Sequence, residues 1–568
     1  MRKPWFWILT VPVLIVVVLI WSAGRSVDIP KGSYLVVELK GDYAESANPT
    51  FFDFFFPGSS RPFSFVLSEL SKVERDDRVA GVLLKIRDLE IGWAKGQEVR
   101  AAIQRLSGKG LKVVAYLETE TLSSNLEYYV ASAADEVYLA PGMRNPLIGL
   151  AAEYFFLGDF FEQFGVSFEY ERIGSYKTAV ETLTRERMSD QNREMTEWLI
   201  NSINSQFVNG ISQSRNIAVD QVKAAIEKAP VSLNKVQELG LIDGISSFST
   251  LVDNLGVEVI NARDYAEVDI EDLGFSADLS IAVVYASGPV VTGKGTERIN
   301  GSTQINSEVI LEALQDITRS DDIDAVILRI DSPGGSALAS DIIWDAVRKV
   351  REVGIPVIAS LSDVAASGGY YIASGADIVV ASPGTITGSI GVFVLRPVLE
   401  KLLKTLKIGT AHETRGDYAE LSLLTKPLSV TGRKRLQEEM KQVYGRFLNR
   451  VSQGRKLSKD SVDLNGRGMV FTGIQAKRRG LVDVLGGMDI AISEATRLLG
   501  YEEPQDVLLI SFPRQKSLAQ QLGRKILSGA SDTILSENIS QIPRGLWEFS
   551  RVPVGSPVLF STVIPHIR

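Results

Sequence analysis

Ser367 lies in Ala365-Ala366-Ser367-Gly368-Gly369-Tyr370-Tyr371, where small neighbours leave its hydroxyl accessible and the N–H of Gly368 follows directly. A serine hydroxyl becomes a useful nucleophile only when a base takes its proton. The chain has no Cys and only two His, His412 and His566. That excludes thiol catalysis and structural zinc, and it leaves little imidazole for a Ser-His pair. His412, in Ala411-His412-Glu413, reads as a polar residue near a turn. The remaining candidate base is a neutral lysine amine. Lys177 sits in Gly174-Ser175-Tyr176-Lys177-Thr178-Ala179-Val180 with no adjacent carboxylate, and Glu181, one helical turn on, is the obvious counter-charge. An amine with an ordinary pKa of ~10.4 must be lowered by about three units to act at neutral pH, a differential of about 4 kcal/mol that burial can supply. A third piece is Asp331-Ser332-Pro333-Gly334-Gly335-Ser336, whose consecutive glycines let backbone N–H groups turn toward a developing oxyanion. Taken singly, each has a plainer reading: Ser367 as a helix N-cap, the glycines as turn formers, Lys177 as a surface lysine.

A tandem repeat links the three. Asp76-Asp77 followed by Val79 to Ile86 returns as Asp321-Asp322 followed by Ala325 to Ile330. Tyr128-Tyr129, Asp135, Pro141-Gly142 and Gly174-Ser175-Tyr176 match Tyr370-Tyr371, Asp377, Pro383-Gly384 and Gly416-Asp417-Tyr418 at an offset of 242. Gly240-Leu241-Ile242-Asp243 matches Gly480-Leu481-Val482-Asp483 at 240. In this register Ser367 faces Asn125, Lys177 faces Ala419, and the glycine turn faces Arg87-Asp88-Leu89-Glu90-Ile91-Gly92. A working pair therefore needs one residue from each half.

The elements that must position these groups alternate between strand and helix. In the second copy Leu279 to Ala286 reads as a strand, Ser307 to Ile317 as a helix and Ala325 to Ile330 as a strand. Ala337 to Val353 reads as a helix and Pro356 to Leu361 as a strand. Short apolar strands alternating with helices predict βαβ crossovers and a largely parallel sheet in each half. Residues 427 to 455 read as a long amphipathic helix with Leu436, Met440, Val443, Phe447 and Val451 facing a core.

At 568 residues the chain is too long for one core, and two related units of about 240 residues are expected, with a seam near 270 to 278. The expected organisation is 1–27 cytoplasmic stub and anchor, 28–274 lysine-bearing repeat, 275–511 serine-bearing repeat and 512–568 tail. Hydrophobic content of 45% and a net charge of -8 describe a folded body with no electrostatic footprint for nucleic acid. Arg2 and Lys3 precede the uncharged stretch Trp5 to Trp21. At ~1.5 Å per residue it covers roughly 25 Å, enough for a thin bilayer, with Trp at both interfaces. An uncleaved transmembrane anchor through residues 5–21 is expected, with a cleaved secretory signal ending at Ser22-Ala23-Gly24 as the alternative. Either sends the body across the membrane. Phe51-Phe52-Asp53-Phe54-Phe55-Phe56 reads as a subunit or lipid contact, or equally as core.

Asp331 to Ser336, Ala366 to Tyr370, Thr387-Gly388-Ser389-Ile390-Gly391 and Gly174 to Ala179, with the duplication, resemble the long two-repeat form of the signal peptide peptidase A (protease IV) family over roughly residues 30 to 500. The resemblance implies an α/β fold made by tandem duplication of a crotonase-like, Clp-protease-like unit, with an N-terminal transmembrane helix. It implies a serine endopeptidase with a Ser-Lys dyad, no cofactor and no metal, and a homotetrameric bowl that degrades cleaved signal peptides and other apolar peptides. The expected place is the bacterial inner (plasma) membrane, single-pass, with the body on the periplasmic side. Carried onto this sequence, Ser367 is the nucleophile, Lys177 the base, Ser389 the group orienting the lysine, and Gly334, Gly335 or both join Gly368 in the oxyanion hole. Two rivals are a crotonase-like acyl-CoA enzyme, which needs carboxylates near the hole, and a membrane scaffold, which gives no reason for a hole in one half only.

Overall fold

The computed structural model describes residues 29–45, 62–293, 304–513 and 558–560. The expected membrane anchor at 5–21, the aromatic run 51–56 and most of the tail lie outside the described residues. Among the described residues no helix is long and apolar enough to cross a membrane.

The first half supplies strands β1 (Ser33–Gly41), β2 (Val79–Leu89), β3 (Lys112–Leu117), β4 (Glu136–Leu139), β5 (Ser167–Ile173), β6 (Gly244–Ile245) and β7 (Val259–Asn261). All but β5 form one sheet in the order β6-β4-β3-β2-β1-β7, paired in parallel throughout. Further strands are β8 (Leu279–Ser287), β9 (Val290–Val291), β10 (Ile305–Asn306), β11 (Ala325–Ser332), β12 (Gly334–Ser336), β13 (Val357–Ala366) and β14 (Ile378–Ala381). They are followed by β15 (Ile386–Gly388), β16 (Val392–Val398), β17 (Val470–Thr472), β18 (Val484–Leu485), β19 (Val507–Phe512) and β20 (Val558–Phe560). In the second sheet β18-β14-β13-β11-β8-β19 run in the order of the first, with β15 added beside β13 and β17 beside β15. The duplication is thus a duplication of topology.

Equivalent polar ties hold each copy. Tyr128 Oη donates to Leu241 O at 2.6 Å and Tyr370 Oη to Leu481 O at 2.8 Å. Asp243 accepts from Val137 N at 2.7 Å, and Asp483 from Val379 N at 2.8 Å. Strands buried on both faces need these partners, because an unpaired polar group there costs about 1–3 kcal/mol.

A third sheet, β10-β9-β12-β20-β16-β5, draws strands from both halves. β5, from the first half, pairs antiparallel with β16 of the second from Val392↔Ile173 to Val398↔Ser167. Glu169 of β5 binds Arg396 across this ladder at 2.9 Å and Arg433 of the helix Val430–Arg455 at 2.8 Å. The long helix, Val430–Arg455, begins three residues later than expected and buries Leu436, Met440, Phe447 and Val451.

Candidate active site

β13 ends at Ala366, and the helix Gly368–Ala373 begins one residue after the serine, so Ser367 occupies a one-residue corner between them. Its backbone is left-handed, φ 56° and ψ -111°, a conformation that costs a non-glycine residue of order 1–3 kcal/mol. The corner is held by Ser367 N–H to Gly388 O and by Tyr371 N–H to Ser367 O, both 2.8 Å. Ser367 makes no side-chain cap, which removes the N-cap reading of this serine. Its side chain is turned instead toward the lysine from the other half.

β5 delivers that lysine. The chain leaves β5 at Ile173, turns at Gly174 (φ 111°) and places Lys177 in a wholly buried position. Lys177 Nζ lies 2.6 Å from Ser367 Oγ, 2.9 Å from Ser389 O and 3.0 Å from Ser389 Oγ. Three oxygens would satisfy an ammonium as well as an amine. Among the described residues burial is what acts on this amine, and it pushes the amine well below the ordinary lysine range. Glu181, the anticipated counter-charge, turns away: it faces Arg172 at 3.4 Å and accepts from Ser189 N at 3.3 Å.

The glycine turn lies against the same corner. A Cβ on Gly368 would stand 3.0 Å from Gly335 N and 2.7 Å from Ser340 Oγ, so the two peptide groups approach closely only because residue 368 is glycine. A Cβ on Gly335 would overlap Val290 O. Gly334 N–H donates to Ser332 Oγ at 3.1 Å. The N–H of Gly368 opens a helix, where first-turn amides have no intrahelical acceptor.

Two supports were not anticipated from the sequence. The turn at 466–469 clamps both partners: Tyr176 N donates to Arg467 O at 2.9 Å, and Ser389 N to Met469 O at 2.8 Å. Gly468, at φ 82°, packs so closely on Lys177 that any Cβ would overlap the lysine's backbone N. The only signal was the pair of glycines in Gly466-Arg467-Gly468. The second support is a buried ionic cluster behind the glycine turn. Arg329 binds Glu45 at 2.8 Å and Glu98 at 2.7 Å, and Lys95 binds Asp331 at 2.9 Å and Glu45 at 3.2 Å. Glu45, Lys95 and Glu98 belong to the first half, Arg329 and Asp331 to the second. Burial alone would raise Glu45, but Arg329 and Lys95 outweigh it and hold the carboxyl at about 2, whereas burial prevails at Glu98 and raises it.

The residues facing the pair in the other copy are inert. Asn125 is tied to Ser123 Oγ, Gly149 O and Ile148 N, and Ala419 begins a short 3-10 turn. His412 is exposed in an irregular stretch. Among the described residues no cluster of His, Cys, Asp and Glu could hold a metal.

The profile of peptidase family S49 matches this chain twice, at residues 105–259 and 349–502. The chloroplastic serine protease SPPA of Arabidopsis thaliana is 34% identical over 520 residues, 89% of this chain and 74% of that protein. Protease 4 of Haemophilus influenzae is 30% identical, over 77% of this chain and 73% of its own length. Among solved structures, a variant of the Listeria monocytogenes protease ClpP1 aligns at 15% identity over 37% of this chain and 93% of its own, with a TM-score of 0.24. A serine and a lysine from two copies of one unit meet in an α/β body whose family profile matches in both copies, and the chain belongs to peptidase family S49 as a serine peptidase.

Proposed function

We propose that this peptidase works through a dyad in which Ser367 is the nucleophile and Lys177 the general base, and that it degrades apolar peptides, cleaved signal peptides among them. The observation that carries the reading is the 2.6 Å contact between Lys177 Nζ and Ser367 Oγ, in a site with no counter-charge among the described residues. Neutral Lys177 accepts the Ser367 proton as Oγ attacks a peptide carbonyl. The lysinium then protonates the leaving amine, and water repeats the sequence on the acyl-enzyme. Ser389 is a positioning residue: through Oγ and carbonyl it fixes the amine's remaining directions. The oxyanion faces the N–H groups of Gly335 and Gly368, while Gly334, its own N–H given to Ser332, shapes the turn.

The burial that lowers the lysine also excludes water from the site, which suits apolar peptides taken from a membrane. On this reading residues 5–21 anchor the chain in the bacterial plasma membrane with residues 28–274 and 275–511 as the two repeats outside it, assembled as a homotetramer. The test is labelling by a serine-directed probe alongside hydrolysis of an apolar reporter peptide. Ser367→Ala should lose both, and Lys177→Ala should lose hydrolysis while the fold and assembly persist. Appreciable turnover by either variant removes that residue from the mechanism.

A further inference from the structure

In the first copy the stretch that matches the glycine turn ends at Gly92, and the helix Trp93–Gly108 starts directly after it. Gly92 is the N-cap of that helix and has no side chain with which to cap it. The capping group comes from the other half. Asp363, on the strand β13 that ends at the Ser367 corner, accepts Gly92 N–H and Lys95 N–H, both at 3.0 Å. A Cβ on Gly92 would overlap that carboxylate, so the approach requires glycine there. This docking aims the Lys95 side chain at the working turn. Lys95 Nζ lies 2.9 Å from Asp331 Oδ2, 3.2 Å from Glu45 and 3.4 Å from Asp363. Burial would lower the amine, but the three carboxylates outweigh it and keep the ammonium charged.

Asp331 directly precedes Ser332-Pro333-Gly334-Gly335. It sits at a break in the ladder between β11 and β13, where Ile330↔Leu361 gives way to Ser332↔Ala365. Within that break Asp331 Oδ1 accepts Val364 N–H at 3.1 Å. One carboxylate thus joins the root of the glycine turn, the strand leading to Ser367 and an ammonium from the other half. The tie matters because the turn is soft: Gly334 and Gly335 have φ of 106° and 154°, and glycine leaves the backbone more freedom than any other residue. The direction of Gly335 N–H is therefore set from outside, by the pairing of Gly335 with Val290 on one side and by Asp331 on the other.

We propose that Lys95 is a positioning residue for the oxyanion: by holding Asp331, its ammonium fixes the glycine turn so that Gly335 N–H and Gly368 N–H converge on one point. The inference rests on the reading of Ser367 as nucleophile with those two amides as its oxyanion donors. Without Lys95, Asp331 and Asp363 lose their shared cation, and their repulsion displaces the residue from which the turn hangs. A displacement of about 1 Å at a reacting group costs on the order of 100-fold in rate. The first half then supplies a brace as well as a base, and the brace is built where its own glycine turn used to be.

The experiment compares full-length wild type, Lys95→Met, Asp331→Asn and the double variant. It measures kcat and KM on an apolar reporter peptide, and the affinity of a peptide aldehyde against that of the alcohol of the same sequence. Ser367 Oγ adds to the aldehyde carbon, which puts the former carbonyl oxygen where the oxyanion would stand; the alcohol forms no adduct. Lys95→Met should lower kcat by about 10- to 100-fold with KM within about threefold, weaken the aldehyde by a similar factor and leave the alcohol unchanged. Because Lys95 acts through Asp331, the double variant should lose no more than Lys95→Met alone. An aldehyde-to-alcohol ratio equal to that of wild type would overturn the inference, as would losses that multiply in the double variant. Should Lys95→Met fail to fold, Asp331→Asn, which keeps an acceptor for Val364 N–H, carries the aldehyde comparison with the same two outcomes for the ratio. Failure of the underlying reading looks different, because wild type itself would then bind the aldehyde no more tightly than the alcohol.

Discussion

Replacing Lys177 by methionine should abolish turnover and stabilise the fold. The amine is wholly buried, and among the described residues burial alone acts on it, depressing it from the ordinary 10.5. In the unfolded chain at pH 7.5 the same lysine is protonated, so holding it neutral in the fold costs about 4 kcal/mol. Methionine has similar length and no charge to strip, and removes that cost. It also leaves Ser367 and Ser389 without the amine they contact at 2.6 and 3.0 Å, worth about 1–3 kcal/mol against the variant. The net expectation is a gain of about 1–3 kcal/mol near neutral pH. The sign with pH follows from the direction of the shift. Between the depressed folded value and 10.5 the unfolded chain binds the extra proton, so wild-type stability rises relative to Lys177→Met by about 1.4 kcal/mol per pH unit. Above 10.5 the difference is constant. Denaturation curves for the two chains from pH 7 to 9 measure this directly. A wild-type minus variant difference that stays flat across that range means that the folded lysine is charged, and an amine base is then untenable.

Ser389→Ala should lower kcat by about 10- to 100-fold with KM within about twofold, and it should move the acidic limb of the kcat/KM profile; loss of activity with an unmoved limb would make Ser389 merely structural. For Gly468→Ala, a Cβ against the Lys177 backbone at φ 82° should cost about 1–3 kcal/mol in a melt and displace the lysine enough to reduce kcat by more than about tenfold; normal kinetics would show the clamp is dispensable. Glu45→Gln tests the ionic cluster. With the folded carboxyl at about 2, against 4.5 ordinarily, its contribution is fully present above pH 4.5 and lost as pH falls toward 2, about 3 kcal/mol in all. The glutamine variant should therefore lose less stability than wild type over that window, and equal losses would contradict the pairing.

The contact of Ser367 with Lys177 was legible because duplication supplies an internal control: a residue type present in one copy and absent from its counterpart stands out. Strands such as Leu279–Ser287 were legible from apolar runs, which depend only on local order. The crossing of β5 into the second half was not, since seven residues of mixed polarity, Ser167–Ile173, do not encode a partner more than two hundred positions away. Glu181 illustrates the same limit. Sequence spacing put its carboxylate beside Lys177, while Arg172 on β5 draws it elsewhere. The Arg329 cluster was hidden because Glu45, Glu98 and Arg329 look like surface charges until the halves close on them. Ser389 came from its motif alone, and the 466–469 clamp had no signal beyond two glycines.

Lys177 and Ser367, the proposed base and nucleophile, are 190 positions apart in sequence, joined through a ladder that closes only when β16 docks on β5. Contacts of such long range form late, after loop-closure entropy has been met. A nascent chain on the ribosome therefore carries a lysine with nothing to deprotonate until the second half has been made and has folded onto the first. On the proposed dyad, the order of the two copies along the chain keeps a half-made protein without a complete catalytic pair.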